Sequence, residues 1–513
     1  MNDRKRIFVI ITIFTVIGLI FTTCEGPMGT EGEQGIQGVQ GEIVLVTGFD
    51  NQLKSIYYVE KGEKLYLRLN VTPMNATIQS IIWTSSMPAV VGIKSTERVN
   101  PRSIMAVTGP STEIEAETKS AGTSIIFATA LGSGGIEITT KITINVFGTL
   151  PVIRINTDNN VSILDRETWV SMTFSLNDTE NQENNISSIS NQQIRGRGNT
   201  TWSYPKKPYR IRFRNNTSMF GLAAARDWVL LANYKDATMI TNTVAFELGQ
   251  RFNGPLFENN YVHVEVVLNG EYLGSYLLTE HMRVGVGRVD IDPVTDYLVE
   301  LDVYYDEDPK FKTNILNLPV MIKSPDFGTD INNAEYQFII DSLNMFDVAL
   351  SDSNFPNNNW KDLVDLDSFV DFIMINEIVR NTELNHPKST YLCSINGIIQ
   401  MSHLWDFDWA FGLGGNTSVN VSTAGNRYRG GSFFSRLFLD SEFSARYKAR
   451  WIEKYDEIST MPIFIENMYN KLQLSADLNG RRWYTYNFRD EIDKLKTWWD
   501  HRVNFLDSAI RGE

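Results

Sequence analysis

Two aspartates separated by one residue, Asp406 and Asp408, are the residues of this sequence best suited to chemistry. The residues around them are aromatic: Trp405, Phe407, Trp409 and Phe411. Successive side chains of an extended segment point to opposite faces, so both carboxylates are expected on one face. Carboxylate oxygens are hard ligands that suit Mg2+ or Mn2+, and Mg2+ is usually held by one or two of them beside phosphate oxygens. The alternative interpretation is an acidic turn between two strands.

A basic segment precedes these aspartates in the chain. Its cations are Arg195, Arg197, Lys206, Lys207, Arg210 and Arg212. Between Tyr209 and Phe213 the residues alternate, which places the arginines on one face of a strand. Lys and Arg neutralise phosphate oxygens, and the nearby Gly196 and Gly198 let backbone N–H groups approach a ligand. The segment therefore predicts an anion pocket, and the alternative is a twisted hairpin with solvated basic residues.

Some of the strands and helices that must position these groups can be predicted from the sequence. Val262 to Leu268 and Tyr272 to Leu278 are apolar strands joined by Asn269-Gly270, the favoured type I′ hairpin turn. Glu280 closes that hairpin and is expected either to pair with a pocket lysine or to be a capped residue at the surface. A helix is predicted from Thr238 to Leu248.

A second helix is predicted from Ser368 to about Arg380, capped by Asp367. Asn381, Thr382 and Glu383 follow it, on the way to the strand that leads to Asp406. Two further helices, Ser441 to Ile458 and Tyr486 to Ile510, carry apolar stripes that indicate core packing.

Bulk properties limit the class of protein. A chain of 513 residues is expected to form two or three domains. Its net charge of -14 argues against a general nucleic-acid-binding protein, which needs a basic face. The two cysteines, Cys24 and Cys393, are far apart and predict neither a disulfide framework nor a zinc site.

Residues 1–24 read as a lipoprotein export signal. Arg4 to Arg6 form a positive start, Ile7 to Phe21 is an uncharged apolar run, and Cys24 is the expected site of lipidation. The apolar run is short for a bilayer span, which takes about 20 residues. An uncleaved signal anchor is the alternative, and both place the rest of the chain outside the cytoplasmic membrane.

The segments that follow differ in composition. Within residues 25–47 a glycine recurs at every third position from Gly26 to Gly41, which predicts a collagen-like Gly-X-Y spacer, with weak trimerisation as the alternative. Residues 48–148 carry short β-rich runs that predict an Ig-like β-sandwich, and a spacer role is favoured over specific binding. Residues 150–513 mix strands and helices without a βαβ period, which favours an α+β domain.

The large domain resembles the spore-coat protein H (CotH) kinase family. The resemblance rests on ordered blocks: RGRGNTTW, KKPYRIRF, LLANYKD, LNGEYLGSYLLTEH, PKSTYL and WDFDWAFG. It implies an atypical protein-kinase-like fold that transfers phosphate from ATP to Ser or Thr of secreted or coat proteins. By this resemblance Asp406 binds the metal with support from Asp408. Arg197, Lys206, Lys207 and Arg210 contact the nucleotide, and Glu280 is a candidate lysine partner.

One position departs from the family pattern. Where many members have Asn-x-Asp, this chain has Asn381-Thr382-Glu383, which moves the catalytic carboxylate out by one methylene. Phosphoryl transfer depends on positioning and electrostatics, so the longer side chain is expected either to lower turnover or to be compensated by a repositioned loop. Two hypotheses follow: an exported Mg2+- and ATP-dependent kinase acting on surface proteins, or an inactive kinase-like surface scaffold or adhesin.

Overall fold

The computed structural model describes residues 45–50, 53–74, 76, 78–95, 106–109, 113–327, 333–431, 433–484 and 486–512. The predicted export signal with Cys24 and the predicted collagen-like spacer up to residue 44 lie outside these ranges. Leu45–Glu513 form one compact unit. Within the described ranges, no helix has both the length and the apolar character that a membrane crossing requires.

The first part of this unit is a β-sandwich. Its strands are β1 (Gly48–Phe49), β2 (Ile56–Glu60), β3 (Lys64–Arg68), β4 (Val71–Thr72), β5 (Ile78–Ser85), β6 (Val91–Ser95), β7 (Ala106–Gly109), β8 (Glu113–Thr118), β9 (Gly122–Gly132) and β10 (Glu137–Phe147). One sheet has the order β2-β10-β9-β5-β7, a second has β3-β8-β6, and β1 pairs with β4. Alternate residues such as Ile126, Ala128 and Ala130 fill the core between the sheets. The predicted Ig-like β-sandwich is confirmed.

The second part begins with a closed barrel in the order β11-β12-β13-β14-β15-β17-β16. Its strands are β11 (Val152–Thr157), β12 (Val170–Asn177), β13 (Ile186–Gly196), β14 (Tyr209–Thr217), β15 (Ala225–Leu231), β16 (Tyr261–Leu268) and β17 (Glu271–Glu280). Tyr209, Ile211 and Phe213 point into the barrel core. The helix α1 (Thr241–Phe252) connects β15 to β16 and packs in the larger core beside the barrel.

The remainder combines an antiparallel sheet with helices. The sheet has the order β19-β20-β18-β21-β22. Its strands are β18 (Leu298–Leu301), β19 (Lys310–Lys312), β20 (Pro319–Ser324), β21 (Thr390–Ile395) and β22 (Ile398–Met401). The helices are α2 (Ala334–Ser351), α3 (Leu366–Val379), α4 (Phe434–Leu437), α5 (Ser441–Ser459), α6 (Met461–Trp483) and α7 (Phe488–Gly512). The strand pairs of the barrel and of this sheet are antiparallel except β11–β16, and α4 to α7 follow one another without an intervening strand, as expected for an α+β domain.

The sandwich packs directly against the barrel. Tyr272 on β17 is stacked between Tyr58 at 5.0 Å and Phe147 at 4.5 Å, measured between ring centroids. The buried Glu265 on β16 accepts a hydrogen bond from the Gly148 backbone N–H at 2.6 Å. A spacer free of the domain that follows would lack these contacts, so the sandwich is a fixed part of the unit.

Local sequence signals predicted element types better than element ends. Asn269 and Gly270 both have positive φ, at 52° and 76°, as the predicted type I′ turn requires. The helix predicted from Thr238 begins at Thr241, and α3 begins at Leu366 with Asp365 as its N-cap, so Asp367 as the cap was wrong. The chain from about Ser441 was expected to be helical, which α5, α6 and α7 confirm, whereas α2 was not predicted.

Candidate active site

A single cleft of about 870 Å3 brings together the basic and acidic segments singled out in the sequence. One wall is the outer face of β13 and β14, and the other includes the sheet edge around Asp302 and the loop after β22. Of the predicted site residues, those that line the cleft are Arg197, Lys206, Arg210, Glu383, Asp406 and Asp408. Lys207 and Glu280 are not among its lining residues.

Asp406 and Asp408 line the cleft from a loop, and the extended segment predicted for them was wrong. The loop follows β22, and Asp406 has a φ of 61°, in the left-handed region that non-glycine residues seldom adopt. Asn242, in the first turn of α1, holds this loop in place. Its Nδ2 donates to Asp408 Oδ1 at 3.1 Å, and its Oδ1 accepts from the Phe407 backbone N–H at 3.1 Å.

Glu383 reaches the cleft from the turn that follows α3. The fully buried Arg502 of α7 holds the end of this helix, because its Nε donates to the carbonyl oxygens of Glu377 and Ile378, both at 3.2 Å. Asn381 then accepts a hydrogen bond from the Glu383 backbone N–H at 3.2 Å. Glu383 Oε1 lies 3.6 Å from Lys388 Nζ. The carboxylate thus stands on a fixed turn beside a cation.

The carboxylates in this corner of the cleft are crowded enough to alter one another's ionisation. Burial, Asp406 and Asp408 raise the pKa of Glu383 to about 8, with Lys388 opposing them. Burial and the neighbouring Asp406 raise the pKa of Asp408 to about 7. Burial also raises the pKa of Asp406, against Arg197 and Lys388. The two cations, Arg197 and Lys388, therefore do not offset the combined negative charge of the three carboxylates.

Arg197 is the basic residue best placed to meet a ligand. Burial lowers its pKa, and Asp406 is the strongest opposing influence. Its guanidinium carbon lies 5.7 Å from the ring centroid of Trp405. Among the residues that the structure describes, none forms a hydrogen bond or ion pair with this guanidinium. Its donors are therefore available to an anion in the cleft.

The structure corrects the expected roles of the two lysines. Lys206 is fully buried, and its Nζ donates to the carbonyl oxygen of Ser275 and to Asn479 Oδ1 at 2.9 Å. Burial lowers its pKa well below the ordinary value. Lys207 Nζ donates to the Trp202 carbonyl oxygen at 2.6 Å, away from the cleft. Neither ammonium is directed to the acidic corner.

The expected pairing of Glu280 with a lysine is also wrong. Glu280 Oε2 accepts from the Asn260 backbone N–H at 3.0 Å, and Oε1 accepts from Asn260 Nδ2 at 3.2 Å. The carboxylate that does pair with the basic strand is Asp227 of β15, whose Oδ1 lies 3.0 Å from Arg210 Nε. Asp227 stands opposite Arg212 in the β14–β15 register, so charge complementarity across neighbouring strands is the sequence signal for it. No local signal points to Asn242.

The donor chemistry of the acidic corner fits a divalent cation completed by phosphate. Within the described part of the chain, no group of three or more His, Cys, Asp and Glu side chains is arranged to hold an ion alone. Mg2+ seldom needs such a cage, since one or two carboxylates and substrate phosphates suffice. Asp406 and Asp408 supply two carboxylates with unbalanced negative charge, as such a site requires.

Comparison with known proteins gives the family. A model of the family described as CotH kinase protein matches residues 194–506. The chain belongs to this family. The matched region spans the wall that carries Arg197, the carboxylates of the cleft and most of α7. No curated protein matches.

Solved structures add only distant likenesses. Domains 4–9 of surface layer protein SbsC are 13% identical over 47% of this chain and 28% of that chain, with a TM-score of 0.16. The fibronectin(III)-like modules of Clostridium thermocellum CbhA are 12% identical over 36% of this chain and 90% of that chain, with a TM-score of 0.15. TM-scores this low do not establish a shared fold.

Proposed function

We propose that this chain is a kinase that transfers phosphate from ATP to Ser or Thr of surface proteins, with an atypical protein-kinase-like fold. Membership of the CotH kinase family supports the reaction class. The observation that carries the proposal is the meeting of Arg197 with Asp406, Asp408 and Glu383 in one cleft, because an acidic corner beside an uncommitted cation suits a metal-bound triphosphate.

Export and anchoring belong to the same proposal. They rest on the sequence of residues 1–24, in which a basic start and an apolar run precede Cys24. In this arrangement Cys24 carries the lipid, and the catalytic unit faces acceptor proteins outside the cytoplasmic membrane.

The proposed reaction is an in-line phosphoryl transfer. The acceptor hydroxyl oxygen bonds to the γ-phosphorus of ATP, the bond from that phosphorus to the bridging oxygen of ADP breaks, and the hydroxyl proton passes to Glu383. Asp406 and Asp408 would hold Mg2+ or Mn2+, and such an ion would supply positive charge to the phosphate oxygens. Arg197 donates to phosphate oxygens from the opposite wall. Glu383, with a pKa of about 8, acts as a base once positive charge offsets its neighbours.

The second candidate is a surface scaffold or adhesin that binds nucleotide without turnover. The specific observation in its favour is Glu383, which takes the place of the family's usual Asp and lies 3.6 Å from Lys388. A base engaged in an ion pair loses part of its capacity to accept a proton.

The test compares turnover with nucleotide binding in the unit Leu45–Glu513. With labelled ATP and Mg2+ or Mn2+, the wild type should label itself or an acceptor protein, and Asp406→Asn should abolish labelling. Asp306→Asn is the matched control, because Asp306 lines the same cleft but is not among the main charges that act on Glu383, Asp406 or Asp408, so labelling should stay intact. Nucleotide binding without any labelling in the wild type would favour the scaffold.

A further inference from the structure

A patch of arginines covers the outer face of the barrel where it lines the cleft. This arginine cluster comprises Arg195, Arg210, Arg212 and Arg283. The residues that alternate with the first three point into the barrel core. Arg195 stands opposite Arg210 in the β13–β14 register. Residues directly opposite in an antiparallel pair have Cβ atoms about 5 Å apart, so the sheet holds these cations side by side.

The cluster has more cations than carboxylates. Asp227, which is 1% exposed, is the acid at its centre. Its oxygens accept from Arg210 Nε at 3.0 Å, Arg212 Nε at 2.9 Å and Arg283 Nη1 at 3.0 Å. Among the described residues, Arg195 forms an ion pair with Glu167, at 3.6 Å, and that side chain is 84% exposed. Within the part of the chain that the structure describes, the four guanidiniums thus form ion pairs with two carboxylates, in a protein whose overall charge is negative.

The cluster also retains unused donors. A guanidinium has five N–H donors, whereas a carboxylate offers about four acceptor sites. Arg195 Nε is buried without a hydrogen-bond partner. Arg195, Arg210 and Arg212 all lie over the ring of Trp169, at 4.8, 5.6 and 4.4 Å from its centroid. The ring fixes the guanidiniums without neutralising them, so an anion would supply the missing acceptors and charge.

Arg197 connects the cluster to the acidic corner within the same cleft. Arg197 interacts electrostatically with Asp406, and Arg195 is two residues before it on the same face. Two residues of an extended chain span about 7 Å. An acceptor segment lying along this wall in an extended conformation would therefore place the residue two positions from its reacting hydroxyl over the arginine cluster.

The opposite wall of the cleft is acidic, but most of its acids already have partners. Lys323 Nζ lies 2.7 Å from Glu300 and 2.5 Å from Glu307. Asp302 accepts hydrogen bonds from the backbone N–H groups of Tyr304 and Ser389. Of the two walls, the one that carries the arginine cluster therefore has the charge that is still available to an anionic ligand.

We propose that the arginine cluster binds the carboxylate or phosphate of an acidic or phosphorylated residue two positions from the acceptor Ser or Thr. This inference rests on the proposed function, because it takes the corner with Glu383 and Asp406 as the point of transfer. It adds the substrate class: segments rich in Asp, Glu or phosphoserine around the modified hydroxyl.

The test measures peptide binding separately from turnover. Labelled peptides carry one central Ser and, two positions away on either side, Ala, Asp, phosphoserine or Lys. Binding to the full chain in the presence of Mg2+ and ADP is followed by fluorescence anisotropy. The Asp and phosphoserine peptides should bind more tightly than the Ala peptide, and the comparison between them separates carboxylate from phosphate as the preferred group.

The variant Arg212→Gln/Arg283→Gln should weaken binding of the acidic peptides about tenfold or more, since each lost contact is a charge-assisted hydrogen bond. It should leave ADP affinity unchanged. Arg214→Gln is the matched control, because Arg214 follows Arg212 on the same face of β14 but is exposed outside the cleft lining.

Tighter binding of the Lys peptide, binding of no peptide, or a loss of ADP affinity in the double variant would each overturn the inference. The last result would assign the cluster to the nucleotide. If acidic peptides bind through the cluster but no peptide is phosphorylated, the kinase proposal fails and the anion site stands.

Discussion

Asn242 offers the sharpest test of how the acidic corner is held. It is 3% exposed, and its amide joins α1 to the loop that carries the aspartates through one contact to Asp408 and one to the Phe407 backbone. The substitution Asn242→Ala removes both contacts and adds no new group. It should therefore loosen the Asp408 carboxylate without changing the charge of the cleft.

The size of the effect follows from the two bonds. A hydrogen bond to a charged group contributes about 1.5–3 kcal/mol, and a buried N–H left without a partner costs about 1–3 kcal/mol. Water can reach the half-buried Asp408, so the expected loss in free energy of unfolding lies in the lower part of the summed range, about 2.5–4 kcal/mol. Removing a partner that orients a metal ligand typically lowers metal affinity about 10–100-fold.

Two measurements separate these effects. Urea unfolding of the metal-free protein gives the stability loss, and Mn2+ titration followed by electron paramagnetic resonance, with ADP present, gives the metal affinity. Asn259→Ala is the matched control: Asn259 is 2% exposed, its Oδ1 accepts from the Leu404 backbone N–H at 3.3 Å, and its Nδ2 donates to Met282 Sδ rather than to a carboxylate. It should lose stability and keep its Mn2+ affinity. If Asn242→Ala loses stability yet binds Mn2+ as the wild type does, Asp408 is not held for a metal.

Three further predictions follow from the site and its support. Glu383→Gln should lower the phosphotransfer rate about 100-fold or more and leave ATP affinity intact, because only the proton acceptor is lost; equal losses in rate and affinity would contradict this role. The pKa values of about 8 for Glu383 and about 7 for Asp408 exceed the ordinary values of the unfolded chain, so folding favours the protonated forms. The free energy of unfolding of the metal-free protein should therefore fall between about pH 5 and pH 8, and saturating Mg2+ should reduce that fall; urea titrations that show a rise would refute it. Tyr272→Ala should destabilise the unit by about 3–5 kcal/mol in urea, because it removes the ring between Tyr58 and Phe147; an unchanged midpoint would mean that the sandwich is only loosely attached.

What the sequence predicted well depends on local geometry. The alternation from Tyr209 to Phe213 determined which side chains enter the barrel core, and Asn269-Gly270 determined the β16–β17 turn. Both signals act between residues adjacent in the chain. Ordered motif blocks likewise indicated the family before any contact was known.

What the sequence did not predict depends on partners far along the chain. Lys206 looked like a phosphate ligand by its residue type, but Asn479 of α6 and the Ser275 carbonyl oxygen bind its ammonium. Glu280 looked like a lysine partner by its place at a strand end, but Asn260 occupies its carboxylate. Alternation gives the face on which a side chain lies, and only tertiary packing decides what stands opposite.

Among the basic residues near the cleft, the partner of each cation decides which one is available to a nucleotide. A guanidinium already bonded to a buried carboxylate gains less from a phosphate than one whose donors are free, because the existing bond must be shared or broken. Arg210 is engaged by Asp227, and Lys206 is enclosed by neutral acceptors. Arg197 has neither constraint. Of the cations that lower the pKa of Asp406, it has the largest effect. If the phosphates of a nucleotide enter this cleft beside Asp406, Arg197 is the cation expected to contribute most to binding them.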